Sequence, residues 1–405
     1  MTTTLRLSIL VLLASTALAC GSEAAGPSAS ISTGGTGSSD PIDNPMQMAP
    51  VDDTFVPTGA QAEMYMGYIG PALLGRTLTD AEHAKLNAEA GSAVKPMLES
   101  WFIEPGFAEA VRGLMETRLH ASGKLGDVDY NLAGYLVRHI VAHKLPWSQV
   151  VTSTTYYDEN DIPLAGNDTG APYSAGVLTT RGYLAGNEGR FNLSRAHTML
   201  KTFMCRDYPH ETELQPPVDA LKLKLMFRAK SAEDQKVAEA AGGFGNGLAC
   251  YSCHSQFSLH AQPFVKFDKS GVWRADATGL QSAVAQLGDG DNGTAASHWD
   301  SPDVAGLEES SWFGTAVANL ADAGAVIGQH DKFRECTLQQ VLDLAIGLNP
   351  AYETGIKGLK VDPAFLTEIA ESVSASNADP PIQDLAAAVL ADPRVIATAI
   401  NGMRR

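Results

Sequence analysis

The chain has 405 residues, 44% of them hydrophobic and 19% charged, with Lys+Arg 29 against Asp+Glu 46 for a net charge of −17. That length and apolar content suffice for two or three helical units. The acidic balance keeps the chain soluble and argues against nucleic acid as a partner and against attraction to anionic lipid.

In chain order the first element is an export signal. Arg6 supplies a short positive region, Leu7–Leu18 an apolar one, and Ala17-Leu18-Ala19 leads into Cys20. The apolar run is too short for a transmembrane anchor and predicts a signal peptide over 1–19. Cleavage before Cys20 would resemble bacterial lipoprotein processing, with lipid on that thiol, although Ala17 stands where such signals usually carry Leu. Ordinary cleavage nearby would leave Cys20 a free thiol. Gly21 after Cys20, in place of Asp, points the lipid to the outer membrane of a Gram-negative bacterium, with the protein facing the periplasm. Residues 20–62, rich in Gly, Ser, Thr, Pro, Ala and Asp, cannot bury enough surface to offset their ordering entropy, which predicts a lipidated, disordered linker.

From residue 63 onward the pattern is mainly α. Thr79-Asp80-Ala81-Glu82 reads as an N-cap opening a helix that ends near Gly91. Phe107, Val111, Leu114 and Met115 repeat at helical spacing, as do Tyr130, Leu132, Tyr135, Leu136, His139 and Ile140 until Pro146. Further helices are expected over Leu193–Cys205, Ser311–Ala323, Lys332–Leu348, Pro363–Ala375 and Pro381–Leu390. Strand-like alternation is confined to Val150–Tyr157 and Phe264–Trp273. The expected division is an N-terminal helical domain over 63–215, a central segment over 216–300 and a C-terminal helical module over 301–405.

The central segment holds Cys250-Tyr251-Ser252-Cys253-His254. Two thiols at this spacing can each add to a vinyl group of haem, and the following His is then placed to ligate the iron. A zinc site would need more Cys or His nearby, and Cys205 and Cys336 are distant and single. A Cys250–Cys253 disulfide is the plain alternative. The motif therefore predicts covalently bound haem c on Cys250 and Cys253 with His254 as the proximal ligand.

The sixth iron position decides between electron transfer and catalysis. The only Met after the motif is Met403, so a Met ligand would come from upstream. Candidates are Met199, Met204 and Met226, with His197, His210, His260, His298 and His330 as the imidazoles. Met226, in the Leu-rich segment Leu221–Phe227, is the favoured distal ligand, followed by Met204 and His197; each also reads as ordinary core or surface. His260 is discounted because the short connection would have to round the porphyrin edge. Trp273 and Arg274 could hold a haem propionate, since Arg offers a fork to a carboxylate; a surface Arg beside a buried aromatic is the equal alternative. Cys205 and Cys336 could form a disulfide or remain two buried thiols. Asp289-Gly290-Asp291-Asn292-Gly293 lacks the later ligands of a calcium loop and reads as a solvated turn.

Several blocks carry a resemblance. Gly70–Glu82, Ser100–Arg112, Trp147–Tyr157, Ala171–Ala185, Arg195–Cys205 and Phe333–Gly347, with Phe267-Asp268, Gly271 and Trp273-Arg274 after the haem motif, resemble large haem-linked proteins of planctomycetes and myxobacteria. Members often carry Asp-Pro after the haem His, where this chain has Ser258-Leu259-His260. The resemblance implies a cytochrome c-like module of unassigned role. The expectation is an exported, lipid-anchored monohaem c-type cytochrome that passes single electrons to a redox partner protein the sequence does not name. The alternatives are a haem enzyme of peroxidase or oxygenase type with an open distal position, and a surface binding module stabilised by haem.

Overall fold

A computed structural model describes residues 53–126, 128–188, 192–206, 260–275, 308–347 and 362–403. They are mainly helical. The order is α1 (Gly59–Leu74), α2 (Asp80–Glu89), α3 (Val94–Trp101), α4 (Pro105–Arg118), β1 (Lys124–Leu125), β2 (Val128–Asp129), α5 (Leu132–Ala142), α6 (Gln149–Thr152), β3 (Tyr156–Tyr157), β4 (Pro163–Leu164), α7 (Arg181–Gly186) and α8 (Leu193–Met204). After these come β5 (Ser310–Trp312), β6 (Thr315–Val317), α9 (Leu320–Gln329), α10 (Asp331–Ile346), α11 (Pro363–Ser376), α12 (Ile382–Leu390) and α13 (Pro393–Met403). The strands form three separate two-stranded antiparallel ribbons.

The helix ends follow local chemistry. Thr79 caps α2 as expected, closing a capping box in which Thr79 Oγ1 accepts from Glu82 N and the Glu82 carboxylate accepts from Thr79 N. Thr58 and Gln61 repeat the device at α1, whose first four residues, 59–62, fall within the linker expected to run to 62. Both ends thereby satisfy N–H groups that the helix leaves without partners. Two expectations change. Over Ser311–Ala323 the chain first forms the β5–β6 ribbon, because Phe313 and Gly314 take positive φ values of 50° and 83° and turn it back. The helix then starts at Leu320, where Asn319 Oδ1 accepts from Ala321 N at 2.8 Å. In Val150–Tyr157 the two valines lie buried in α6, and only Tyr156–Tyr157 is strand. Phe264–Trp273 is a tight loop closed by a single Phe267–Trp273 bridge.

Residues from 59–206 and from 308–403, expected as separate units, share one hydrophobic core within a single compact body. α10 is its axis: it lies against α1, α4, α8, α11 and α12. Polar ties run between the same parts. Tyr65 Oη donates to Leu390 O at 2.7 Å, Trp147 Nε1 to Thr337 Oγ1 at 2.9 Å, and Arg118 pairs with Asp343 at 2.6 Å. Such buried polar groups cost stability unless paired, so they fix the register of the halves. Among the described residues no single helix is long and apolar enough to cross a membrane.

Where α9 crosses α6 only glycine fits, since a Cβ on Gly324 would stand 2.1 Å from Val151 O. Gly324→Ala is expected to lower stability by about 2 kcal/mol, read from urea unfolding, because the two backbones must separate.

Glu82 also joins Arg76 and Trp101. Arg76 Nη1 and Nη2 each donate to it at 2.9 Å, and Trp101 Nε1 donates to Oε1. The Arg76 hydrogen bonds hold the Glu82 carboxyl down at about 2; partial burial opposes them, and Thr79 and Trp101 add to the lowering. A folded value below the ordinary 4.5 gives stabilisation that is present above about pH 4.5 and lost as pH falls towards 2. Glu82→Gln should cost about 2 kcal/mol at pH 7 and flatten the decline of stability between pH 4.5 and 2, measured by urea titrations across that range.

Candidate functional site

The best-built polar feature surrounds Arg195, on α8. Its side chain is 1% exposed. Arg195 Nε donates to Leu184 O at 2.8 Å, Nη1 to Asn192 Oδ1 at 2.8 Å and Phe267 O at 2.9 Å, and Nη2 to Asp268 O at 2.6 Å. Burial brings its pKa down to about 10, so it remains a cation at neutral pH. One guanidinium thus pins the loop Lys266–Arg274 to α7 and α8.

The loop is shaped by its own residues. Asp268 Oδ1 accepts from Ser270 N, Ser270 Oγ and Val272 N at 2.7–3.0 Å, an Asx-type turn that needs φ +76° at Gly271. A Cβ at Gly271 would stand 2.9 Å from Leu184 Cβ and 3.0 Å from Arg181 Cα, so the turn seats directly on α7. Trp273 N donates to Thr169 O at 2.9 Å. The Trp273 ring packs against the core with Lys266 Nζ 5.7 Å from its centroid. Arg274 Nε and Nη2 both donate to Asp268 Oδ2, at 3.1 and 2.9 Å. The fork expected to meet a propionate therefore meets Asp268, while the Arg274 side chain stays 46% exposed.

A cleft of about 550 Å³ opens where the end of α8 meets the start of α10. That is within the range of ligand sites. Met204, Phe313 and Leu366 give it apolar walls, and Arg206 and Lys332 stand at it as cations. At its edge Cys205 and Cys336 are joined as a disulfide, the first of the two alternatives for that pair. Of the two described residues flanking 207–259, Arg206 lines this cleft, and the His260 ring lies tilted, 5.4 Å from the ring of the cleft residue Phe313.

His330 lines the cleft, but its ring is committed. Its Nδ1 accepts from Lys332 N at 3.1 Å, capping α10. Burial lowers its pKa, so it is neutral at pH 7 with its proton on Nε2. A metal-ligating imidazole normally does the reverse, ligating through one nitrogen and donating from the other. His330 is thereby a cap and not an iron ligand in this arrangement. Met204 is buried and lines the cleft, whereas Met199 lies in the core. His197 is half-buried on α8, two turns before Met204.

Cys250, Cys253 and His254, the favoured distal ligand Met226, the lipidation candidate Cys20, and His210 and His298 lie outside the described residues. The cleft presents a thioether and an aromatic on its walls with Arg206 beside them, while Lys332 is paired with the Glu335 carboxylate that also lines it. Sequence reading did not find Arg195 or Asp268 as organisers. The signal available was Asp-x-Ser-Gly at 268–271, an Asx turn followed by an Arg.

Arg195→Met keeps the apolar stem and strands four oxygens in the interior. It should cost about 3 kcal/mol or more in chemical denaturation, and protection of Phe267 and Trp273 amides from hydrogen exchange should fall with it.

Against protein-family models, characterised proteins and solved structures the chain finds no match, so its function is read from its own residues.

Proposed function

We propose that this chain is an exported monohaem c-type cytochrome, anchored by lipid on Cys20, that transfers single electrons to a partner protein. The observation carrying the reading is the pentapeptide Cys250-Tyr251-Ser252-Cys253-His254 behind an export signal. Cys250 and Cys253 would hold the haem by thioether bonds and His254 would be the proximal ligand; haem supplies one-electron redox chemistry that side chains lack.

Two features support it. The Cys205–Cys336 disulfide suits an oxidising compartment outside the cytoplasm, where haem c is attached. The cleft beside Arg206 has the size for the group. Five residues lie between His254 and His260, six steps of the chain that span at most about 20 Å, and His260 stands by the cleft residue Phe313, so a haem on His254 would be near enough to use it. Arg206 would then attract a propionate, and Phe313 would give the group an apolar neighbour.

Met226 is the distal ligand favoured by the sequence, and Met204 is the thioether the cleft presents. Produced with a cytochrome c maturation system, the protein should carry one covalent haem that survives denaturation, and Cys250→Ala/Cys253→Ala should carry none. Absence of covalent haem in the parent protein sinks the proposal. A six-coordinate low-spin spectrum is expected. Conversion to high spin in Met226→Ala alone would assign Met226, and conversion in Met204→Ala alone would assign Met204. A five-coordinate, high-spin parent would instead favour a haem enzyme.

A further inference from the structure

Away from the cleft, α5 ends in two histidines one turn apart. His139 lies in its last turn and His143 is its C-cap, so spacing of four puts both rings on one face. The loop between β3 and β4 brings Asp161 to that face. His139 Nδ1 is 2.7 Å from Asp161 Oδ1, and His143 Nε2 is 2.8 Å from Asp161 Oδ2. The three ligand atoms lie within 4.8 Å of one another.

The surroundings hold this arrangement in place. Tyr157 stacks on His139 at 3.4 Å with the rings 12° apart. Asp161 takes φ 65°, costly for a residue with a side chain, and the loop keeps it there. Asp158 Oδ1 accepts from Asn160 N and Ile162 N at 2.8 and 2.9 Å, and Arg138 Nη2 donates to Glu159 O at 2.6 Å. These bonds hold the loop so that one carboxylate faces two imidazoles.

Two imidazoles and a carboxylate are donor types that bind zinc.

We propose that His139 Nδ1, His143 Nε2 and one Asp161 carboxylate oxygen bind a zinc ion, with water in the fourth position. Zinc–nitrogen and zinc–oxygen bonds of about 2.0–2.2 Å put tetrahedral ligands about 3.3 Å apart. The imidazole contact to the ligating oxygen then opens by about half an ångström, while the second imidazole leaves the other oxygen and turns towards the metal. The half-exposed His143 has room for that turn. Each ligating ring nitrogen gives up the hydrogen it now shares with Asp161, and water relays it to the other nitrogen of the same ring. Two imidazoles, one carboxylate and an open position form a three-ligand zinc site that leaves room for water or an anionic ligand.

The test is calorimetric titration of the untagged holoprotein with Zn²⁺ after chelator treatment. One zinc per chain is expected. Affinity should fall at least tenfold in Asp161→Asn and in His143→Ala, and stay unchanged in His83→Ala, which disrupts the separate two-residue His83–Glu63 pair. Zinc should also raise the thermal midpoint of the parent protein and of His83→Ala, but not of the two site variants, since only a ligand bound to the folded state stabilises it. Lack of a stoichiometric zinc, or equal affinity in the parent and both site variants, overturns the assignment.

Discussion

The fold depends on burying α10 between parts of the chain that are far apart in sequence. α1 and α4 arrive from one side, α8 from another, and α11 and α12 close the remainder. A helix covered on so many sides would usually be apolar throughout, yet Glu335, Thr337 and Gln340 are among its buried residues. Each has a partner from elsewhere: Thr367 donates to Glu335, Trp147 donates to Thr337, and Gln340 donates to Thr202 O. These contacts specify rotation and register about the helix axis, which apolar contact alone would leave loose.

The cleft inherits its shape from that arrangement. It opens at the start of α10, where the helix leaves its first N–H groups without helical partners. His330 satisfies one of them, so a residue that looks like a metal ligand by composition is occupied in ending one helix and starting the next. Away from the cleft, Arg195 ties α7, α8 and the loop Lys266–Arg274 together. Function in this region would thus rest on a frame organised by buried cations and carbonyls, with the apolar surface lining what they leave open.

Much of this frame is legible in the sequence where signals are local. Thr79 with Glu82 announces α2, Pro363 opens α11, and periodicity finds α5 and α10. Legibility fails where long-range contact outweighs local preference. Val150 and Val151 favour a strand by type, but α9 crosses so closely at Gly324 that they take a helical turn instead. Ser311–Ala323 has helical spacing, and the Phe313-Gly314 turn and the Asn319 cap are the cues that interrupt it. At the candidate zinc site half the signal was present, since His139 and His143 stand four apart on an expected helix. Asp161 is supplied by a hairpin loop, and sequence periodicity has no means of bringing that loop to the helix.

The Cys205–Cys336 bond has a consequence of another kind. It closes a covalent ring in which 131 positions separate the two sulfurs, and Cys250, Cys253 and His254 all fall inside it. Restricting so large a ring in the unfolded chain is worth roughly 5 kcal/mol by chain entropy. It also changes the outcome of damage. A single peptide cut anywhere between the two cysteines yields no separate fragments, because the sulfur bridge still connects both sides. Whatever the motif carries therefore stays tethered to the helical body after one such cut, and shedding it takes a second event, either another cut on its other side or reduction of the bridge.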